Sequence, residues 1–122
     1  VSMDQVPIKK YDLVERTTIF GRSIIQLCKS SKVNIVSDPL IRQLVRSGTS
    51  IGPNYMEATC ASSKKDFRNK VFIAKKESQE TKYWLVMLSA ALPEIKPAID
   101  PLWQECHELN LILQKITSSL KI

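Results

Sequence analysis

Apolar residues recur along most of this chain in alternating steps of three and four, which is the spacing that lines one face of an α-helix. The first such stripe predicts a helix over residues 12–30, with Asp12 as its N-cap and Glu15 completing a capping-box-like pair. Residues 1–10 lack the periodicity and are expected to form a flexible arm. The predicted core face of this first helix consists of Leu13, Thr17, Phe20, Ile24 and Leu27.

A second stripe predicts a helix over residues 38–61. Its expected N-cap is Ser37 or Asp38, because either side chain can accept a hydrogen bond from a free amide of the first turn. Pro39 suits that first turn, where its missing N–H costs nothing. The predicted core face consists of Leu40, Leu44, Ser47, Gly48, Ile51, Tyr55 and Ala58.

The middle of this second helix is the least regular part of the pattern. Gly48 and Gly52 are small enough to let another helix backbone approach closely. A loop over the segment GTSIGPN is the alternative, because glycine and proline both interrupt helices. We favour a continuous helix kinked near Pro53, since the apolar stripe keeps its phase on both sides of that residue.

A long third helix is predicted over residues 63–92 and a fourth over residues 100–119. Ser62 or Ser63 is the expected N-cap of the third helix, and prolines stop it at its C-terminal end. Four amphipathic helices joined by short connections, without a strand pattern, predict an all-α fold. The expected architecture is an up-down-up-down antiparallel four-helix bundle that forms a single domain over residues 11–122.

The chain of 122 residues carries a net charge of +6, which points to an anionic partner. Nucleic acid, an acidic protein or an anionic membrane surface would each fit, and the alternative is a charge that only keeps the protein soluble. The three cysteines form no metal-binding spacing, so we expect reduced thiols in a cytoplasmic protein. No apolar run is long enough for a membrane span, and we expect no membrane partner.

Positive charge is densest on the third predicted helix. On a helical projection several of its cations fall within about 40° of one another, away from the apolar stripe. Phe72 and Tyr83 are interleaved among them, and rings can stack on bases while cations neutralise phosphates. The alternative is a solvated lysine face with both rings buried against another helix or subunit. The candidate nucleic-acid-binding residues are Lys64, Lys65, Arg68, Lys75, Lys76 and Lys82.

A second group of residues combines small and polar side chains within the bundle. Glu77 falls on or near the apolar face of the third helix, where a carboxylate must be paired, protonated or reached by water. We expect it to meet Arg46 or another cation across a helix–helix or subunit contact. Catalytic acid–base pairing is the alternative hypothesis. The candidate packing and polar residues are Arg46, Gly48, Gly52, Asn54, Glu57 and Glu77.

The residues offer no positive indication of an enzyme. His107 is the only histidine, and although it adjoins Cys106 and Glu108, neighbours on a helix point in different directions and do not chelate together. We therefore expect a surface histidine. No catalytic triad, phosphate-binding glycine loop or metal cluster can be nominated, so we expect no catalytic residues, no cofactor and no metal.

Several aromatic residues fall partly off the predicted core stripes. Together they make more aromatic surface than a small bundle needs to close its own core. Patches of this kind often mark subunit contacts, so we expect a homo-oligomer. The residues concerned are Phe72, Tyr83, Trp84 and Trp103.

The order of four sequence segments carries a family resemblance. The segments are YDLVERT at residues 11–17, IRQLVRSGTSIGPNYMEA at 41–58, SKKDF at 63–67 and ETKYWL at 80–85. Together they resemble the 23S rRNA intervening-sequence proteins, a family that includes the accessory variability proteins of diversity-generating retroelements. The resemblance fades in the fourth helix, and Pro53 departs from it where a small helix former such as alanine would be expected.

The resemblance implies a compact bacterial four-helix bundle that assembles into a homopentameric ring or barrel. Family members are often encoded within inserts in ribosomal RNA genes, and the retroelement members bind nucleic acid together with a reverse transcriptase. The family carries no catalytic residues. Our leading hypothesis is an oligomeric bundle that binds structured RNA or an RNA/DNA hybrid through the third helix. The alternative is a scaffold or accessory factor that docks an acidic protein or a reverse transcriptase and has no direct nucleic-acid role.

Overall fold

The computed structural model describes residues 13–120, and none of these residues lies in a β-strand. The all-α class predicted from the sequence is therefore confirmed. The expected N-terminal arm and the Asp12 cap lie outside the described residues. The elements are α1 (Leu13–Ser30), α2 (Ser37–Gly48), α3 (Ile51–Thr59), α4 (Lys64–Ala91), a single 3₁₀ turn (Pro93–Ile95) and α5 (Lys96–Ser119).

The helices pack around one another in the order of a four-helix bundle. Helices α2 and α3 both contact α1 and α4, so together they fill one position of the bundle, and α5 lies between α4 and α1. Arg46 of α2 meets Glu77, whereas Glu57 of α3 meets Lys70, which comes earlier in α4. The residue number of the contact decreases along α4 as it increases from α2 to α3, so α4 runs antiparallel to α2 and α3.

The core lies along the bundle axis and is continuous over all the helices. Every residue predicted for the core face of α1 is buried. In the second segment only Leu40 and Tyr55 of the predicted face are partly exposed. The buried residues of α4 are Val71, Ala74, Ser78, Thr81, Leu85 and Leu88. Removal of this apolar surface from water is the main force that holds the helices together.

The helix predicted over residues 38–61 is interrupted, which corrects the expectation of one continuous helix. The interruption consists of Thr49 and Ser50, whose φ/ψ values of −93°/−1° and −94°/−15° stay near the helical region. Pro53 then falls in the first turn of α3, where a missing N–H has no intrahelical partner to lose. In a continuous helix that N–H would have bonded the carbonyl of Thr49. The interruption at Thr49 and Ser50 therefore lies about one turn before Pro53, which is the position that a proline in the first turn of the next helix requires.

The turn that leads into α2 is capped differently from the prediction, because neither Ser37 nor Asp38 caps it. The carboxamide oxygen of Asn34 accepts hydrogen bonds from the amides of Val36 at 2.9 Å and Ser37 at 2.8 Å. In return the hydroxyl oxygen of Ser37 accepts a bond from the Asn34 amide at 2.9 Å. This reciprocal pair has the form of a capping box. Asp38 instead pairs with Arg42 one turn later, at 3.2 Å.

The ends of α4 and α5 show how serine and proline set helix boundaries. Ser63 has extended dihedrals, and its hydroxyl accepts a hydrogen bond from the Asp66 amide at 3.0 Å, which makes it the N-cap of α4. Helix α5 begins at Lys96, earlier than the predicted start at residue 100. Pro97 is compatible with this start because it occupies the first turn of α5.

Candidate nucleic-acid interface

The acidic side chains in the middle of α4, Glu77 and Glu80, both pair with Arg46 of α2. Glu77 lies with Oε1 3.1 Å from Nη1 of Arg46, and its side chain is only 15% exposed. The same guanidinium bonds Glu80 through Nη2 at 2.5 Å. The hydrogen bond to Glu80, followed by the attraction of Glu77, raises the pKa of Arg46. The ion pair expected between Arg46 and Glu77 is thus present in the structure, and it keeps both carboxylates on this flank.

Helix α5 holds its central carboxylates on the flank that faces α1. Arg16 of α1 binds Glu105 through two parallel hydrogen bonds of 2.7 and 2.8 Å and reaches Glu108 at 2.9 Å. The hydrogen bond to Glu105 is the main reason that the pKa of Arg16 is raised. The pKa of Glu108 is lowered by a hydrogen bond from Gln104 and then by Arg16. These carboxylates therefore lie away from α4.

The remaining flank of α4 meets α5 and carries cations. Arg68 approaches the carbonyl oxygen of Thr117 at 3.5 Å, and Lys82, two heptads along the same flank, approaches His107. Between them lies a hollow of about 300 Å³, and none of its lining residues is acidic. We call this surface the basic groove and define it as Lys64, Lys65, Arg68, Phe72, Lys75, Lys76 and Gln79 of α4 with Gln114 of α5.

The predicted nucleic-acid-binding residues are not equivalent in the structure. Lys64, Lys65, Arg68 and Lys76 are exposed. Lys75 is half-buried and places its ammonium group 5.4 Å from the centre of the Phe72 ring. The first four can therefore reach a ligand without breaking a tight ion pair.

Lys82 differs from the other cations because α5 holds it. Its ammonium group lies 3.1 Å from Nδ1 of His107 and 5.4 Å from the centre of the Trp103 ring. Since an ammonium can only donate, His107 accepts through Nδ1 in this geometry. His107 also stacks on Trp103 at 5.1 Å, so it is not the plain surface histidine expected from the sequence. We therefore leave Lys82 out of the basic groove.

A buried polar seam between α4 and α5 sets the spacing of the groove. Asn110 donates from Nδ2 to Oγ of Ser78 at 2.8 Å and to the carbonyl oxygen of Lys75 at 3.2 Å. The thiol of Cys106 lies 3.2 Å from the carbonyl oxygen of Ser78. Sequence reasoning missed Ser78 and Asn110. The signal was available, because each stands three or four residues from a core position on its own helix.

The other predicted packing residues serve separate purposes rather than one network. A Cβ atom on Gly48 would lie 3.0 Å from two carbon atoms of Ile24, so α1 and α2 approach closely there. Gly52 similarly faces Thr17 of α1. Asn54 donates to the carbonyl oxygen of Ser50 at 2.8 Å, which satisfies a backbone acceptor at the helix break. Glu57 pairs with Lys70 across α3 and α4 at 3.0 Å.

The aromatic residues divide into two pairs. Trp84 and Trp103 are half-buried and pack against the edge of the core. Phe72 and Tyr83 are 51% and 56% exposed. The second pair therefore offers more aromatic surface to a partner.

The three thiols differ in burial. Burial raises the pKa of Cys28 to about 11 and that of Cys106 to about 12, and Cys60 is exposed. Between residues 13 and 120, no group of three or more His, Cys, Asp or Glu side chains is placed to hold a metal ion. In the same range, no helix is both long and apolar enough to span a membrane.

Fold and surface together define a class, that of small all-α bundle proteins with a cationic groove between two helices. The family model for the 23S rRNA-intervening sequence protein matches residues 9–115, and the chain belongs to that family. It is also similar to a crystal structure of a protein of unknown function from the S23 ribosomal protein family of Bacteroides thetaiotaomicron. The two are 32% identical with a TM-score of 0.78, over 88% of this chain and 99% of that one. None of the curated proteins matches the chain.

Proposed function

We propose that this protein binds structured RNA or an RNA/DNA hybrid through the basic groove, by electrostatic attraction and without catalysing a reaction. The observation that supports this function most is the separation of charge around α4 and α5. Arg46 and Arg16 hold carboxylates of these helices on other flanks, while the groove keeps its cations unneutralised. A phosphate backbone would release its condensed counterions on meeting such a surface.

The groove also has a suitable length for a nucleic-acid backbone. From Lys64 to Lys76 the helix rises about 18 Å, at about 1.5 Å per residue. Several successive phosphates of one nucleic-acid strand can lie beside the groove over that distance. Contacts to phosphates carry no sequence information, so we expect tolerant recognition of shape and charge rather than of a base sequence.

We further propose that the protein forms a homo-oligomer, with a pentamer as the number that the family resemblance implies. Support comes from the edge of the bundle opposite the basic groove, where α1 meets α3. A hollow of about 250 Å³ lies there beside the exposed Met56 and Ile25. A second copy that covers this apolar edge would leave the basic groove open. Light scattering that shows only monomer at micromolar concentration would contradict the assembly.

The binding proposal is tested by fluorescence anisotropy with a labelled RNA hairpin and two charge-reversed variants. The groove variant carries K64E, K65E, R68E and K75E. The control variant carries K29E, K32E, K96E and K115E, all at exposed positions outside both the groove and the α1/α3 hollow, and has the same net charge as the groove variant. Lys115 lies seven residues after Glu108 and so shares the flank that faces away from α4. We expect the groove variant to lose binding and the control variant to lose far less.

Three results would contradict the proposal. Equal weakening of both variants would mean that overall charge, and not the groove, attracts RNA. Unchanged RNA binding by the groove variant, with its helicity intact by circular dichroism, would exclude the groove as the site. If the wild-type protein binds poly-L-glutamate but no RNA at low salt, docking of an acidic protein is the better account.

A further inference from the structure

An aromatic ring stands open to solvent in the middle of the basic groove. Phe72 is 51% exposed although it lies on a long, well-packed helix. The hollow beside it is lined by Lys75, Lys76 and Gln79 of its own helix and by Gln114 of α5. The ring is therefore surrounded by polar and cationic groups rather than by other apolar side chains.

The chemistry of these groups matches that of a nucleotide. The face of the ring offers a flat apolar surface, and the ammonium group of Lys75 lies 5.4 Å from its centre. The carboxamides of Gln79 and Gln114 each provide hydrogen-bond donors and an acceptor. Because they belong to different helices, they flank the hollow on two sides. A flat ring, edge hydrogen-bonding groups and cations are what a base and its phosphates require.

We propose that Phe72 stacks on an unpaired base, with Gln79 and Gln114 at the base edge and Lys75 and Lys76 at the flanking phosphates. This inference rests on the nucleic-acid binding proposed above and narrows the ligand to nucleic acid with unpaired nucleotides, such as a loop, a bulge or a single strand. Bases inside a duplex are stacked on one another and expose only their edges. A duplex can therefore reach the lysines but cannot cover the ring.

The other exposed aromatic residue of α4 provides a matched control. Tyr83 is 56% exposed and packs edge-to-face against Trp84 at 5.1 Å. It does not line the hollow. Tyr83→Ala thus removes an exposed ring from the same helix without changing the groove.

The test compares a labelled single-stranded oligouridine with a duplex of the same length in a fluorescence anisotropy titration. Phe72→Ala should weaken binding of the single strand about ten- to a hundredfold, since each stacked base contributes this much in comparable sites. The same variant should change duplex binding less than twofold, and Tyr83→Ala should change neither. Phe72→Trp should retain single-strand affinity, and its added indole emission should be quenched on binding.

Each other outcome overturns the inference in a distinguishable way. If Phe72→Ala binds the single strand as wild type does, or weakens both ligands equally, the stacking role is excluded while nucleic-acid binding stands. If the wild-type protein binds neither ligand at low salt, both proposals fail. If Phe72→Ala lowers the oligomer mass measured by light scattering, Phe72 lies in a subunit contact and is not a base platform.

Discussion

Arg46 joins α2 to α4 through Glu77, with its Nη1 atom 3.1 Å from Oε1 of the carboxylate. The pair lies at the border of the core, because the Glu77 side chain is 15% exposed whereas Glu80, the second partner of Arg46, is 42% exposed. Water therefore screens the Glu80 contact more strongly than the Glu77 contact. The two acids bind one guanidinium but should differ in their contribution to stability.

A double-mutant cycle with Arg46→Met measures that difference. The first cycle combines Arg46→Met with Glu77→Gln. We expect a coupling free energy of about 0.5–1 kcal/mol between Arg46 and Glu77, because water only partly screens this pair. The matched cycle with Glu80→Gln should give a smaller value. Urea denaturation of the single and double variants provides the numbers. A larger coupling for Glu80 would show that the shorter hydrogen bond, and not burial, decides the energy.

The close contact between α1 and α2 predicts opposite effects at two glycines. Gly48→Ala would place a methyl group 3.0 Å from two atoms of the buried Ile24, so we expect a loss of about 1–2 kcal/mol in the free energy of unfolding. At Gly21 the nearest atom would lie 3.6 Å away, an ordinary contact. Gly21→Ala should therefore stabilise the helix by about 0.5–1 kcal/mol. A Gly48→Ala variant as stable as the wild type would contradict the packing described for this contact.

The thiols should differ sharply in reactivity. Cys28 and Cys106 are buried, and burial raises their pKa values to about 11 and 12, so little thiolate is present at neutral pH. Cys60 is exposed. Native protein should release one equivalent of chromophore quickly with Ellman's reagent, and Cys60→Ser should release none until it is unfolded in urea. Rapid reaction of a second thiol would show that the core opens at Cys28 or Cys106.

The pairing of Glu108 predicts a loss of stability in acid. Its pKa in the folded protein lies below the ordinary value of 4.5, because Gln104 and then Arg16 stabilise the carboxylate. The stabilisation is therefore fully present above about pH 4.5 and disappears as the pH falls through the lowered pKa. The difference in urea midpoint between wild type and Glu108→Gln should be present at pH 7 and should shrink steadily as the pH is lowered below 4.5. Glu94→Gln, at an exposed carboxylate, is the control, and a difference for Glu108→Gln that does not shrink on acidification would exclude this cause.

Features that depend on local periodicity could be predicted from the sequence. The buried face of α1 follows from the spacing of its apolar residues, and the Ser63 cap follows from a serine just before a helix with Asp66 in its first turn. The side of α4 that carries Arg68 and Lys75 follows from their separation of seven residues. Each of these features is decided by residues close together in the chain.

Features that depend on a partner from another helix could not be predicted in the same way. The engagement of Lys82 depends on His107, which lies 25 residues away on α5. The direction in which Glu105 points depends on Arg16 of α1, at a separation of 89 residues. The charge separation that leaves the basic groove without acids is therefore a property of the assembled bundle, and the sequence alone showed only the cations.

The salt dependence of RNA binding tests the central claim most directly. If the groove cations Lys64, Lys65, Arg68, Lys75 and Lys76 neutralise phosphates, the logarithm of the association constant should fall with the logarithm of salt concentration. The slope should be about −3 to −4.5, and Lys65→Ala should reduce its magnitude by about 1 while leaving binding otherwise intact. An affinity that does not change between about 50 and 200 mM salt would contradict electrostatic binding through this groove.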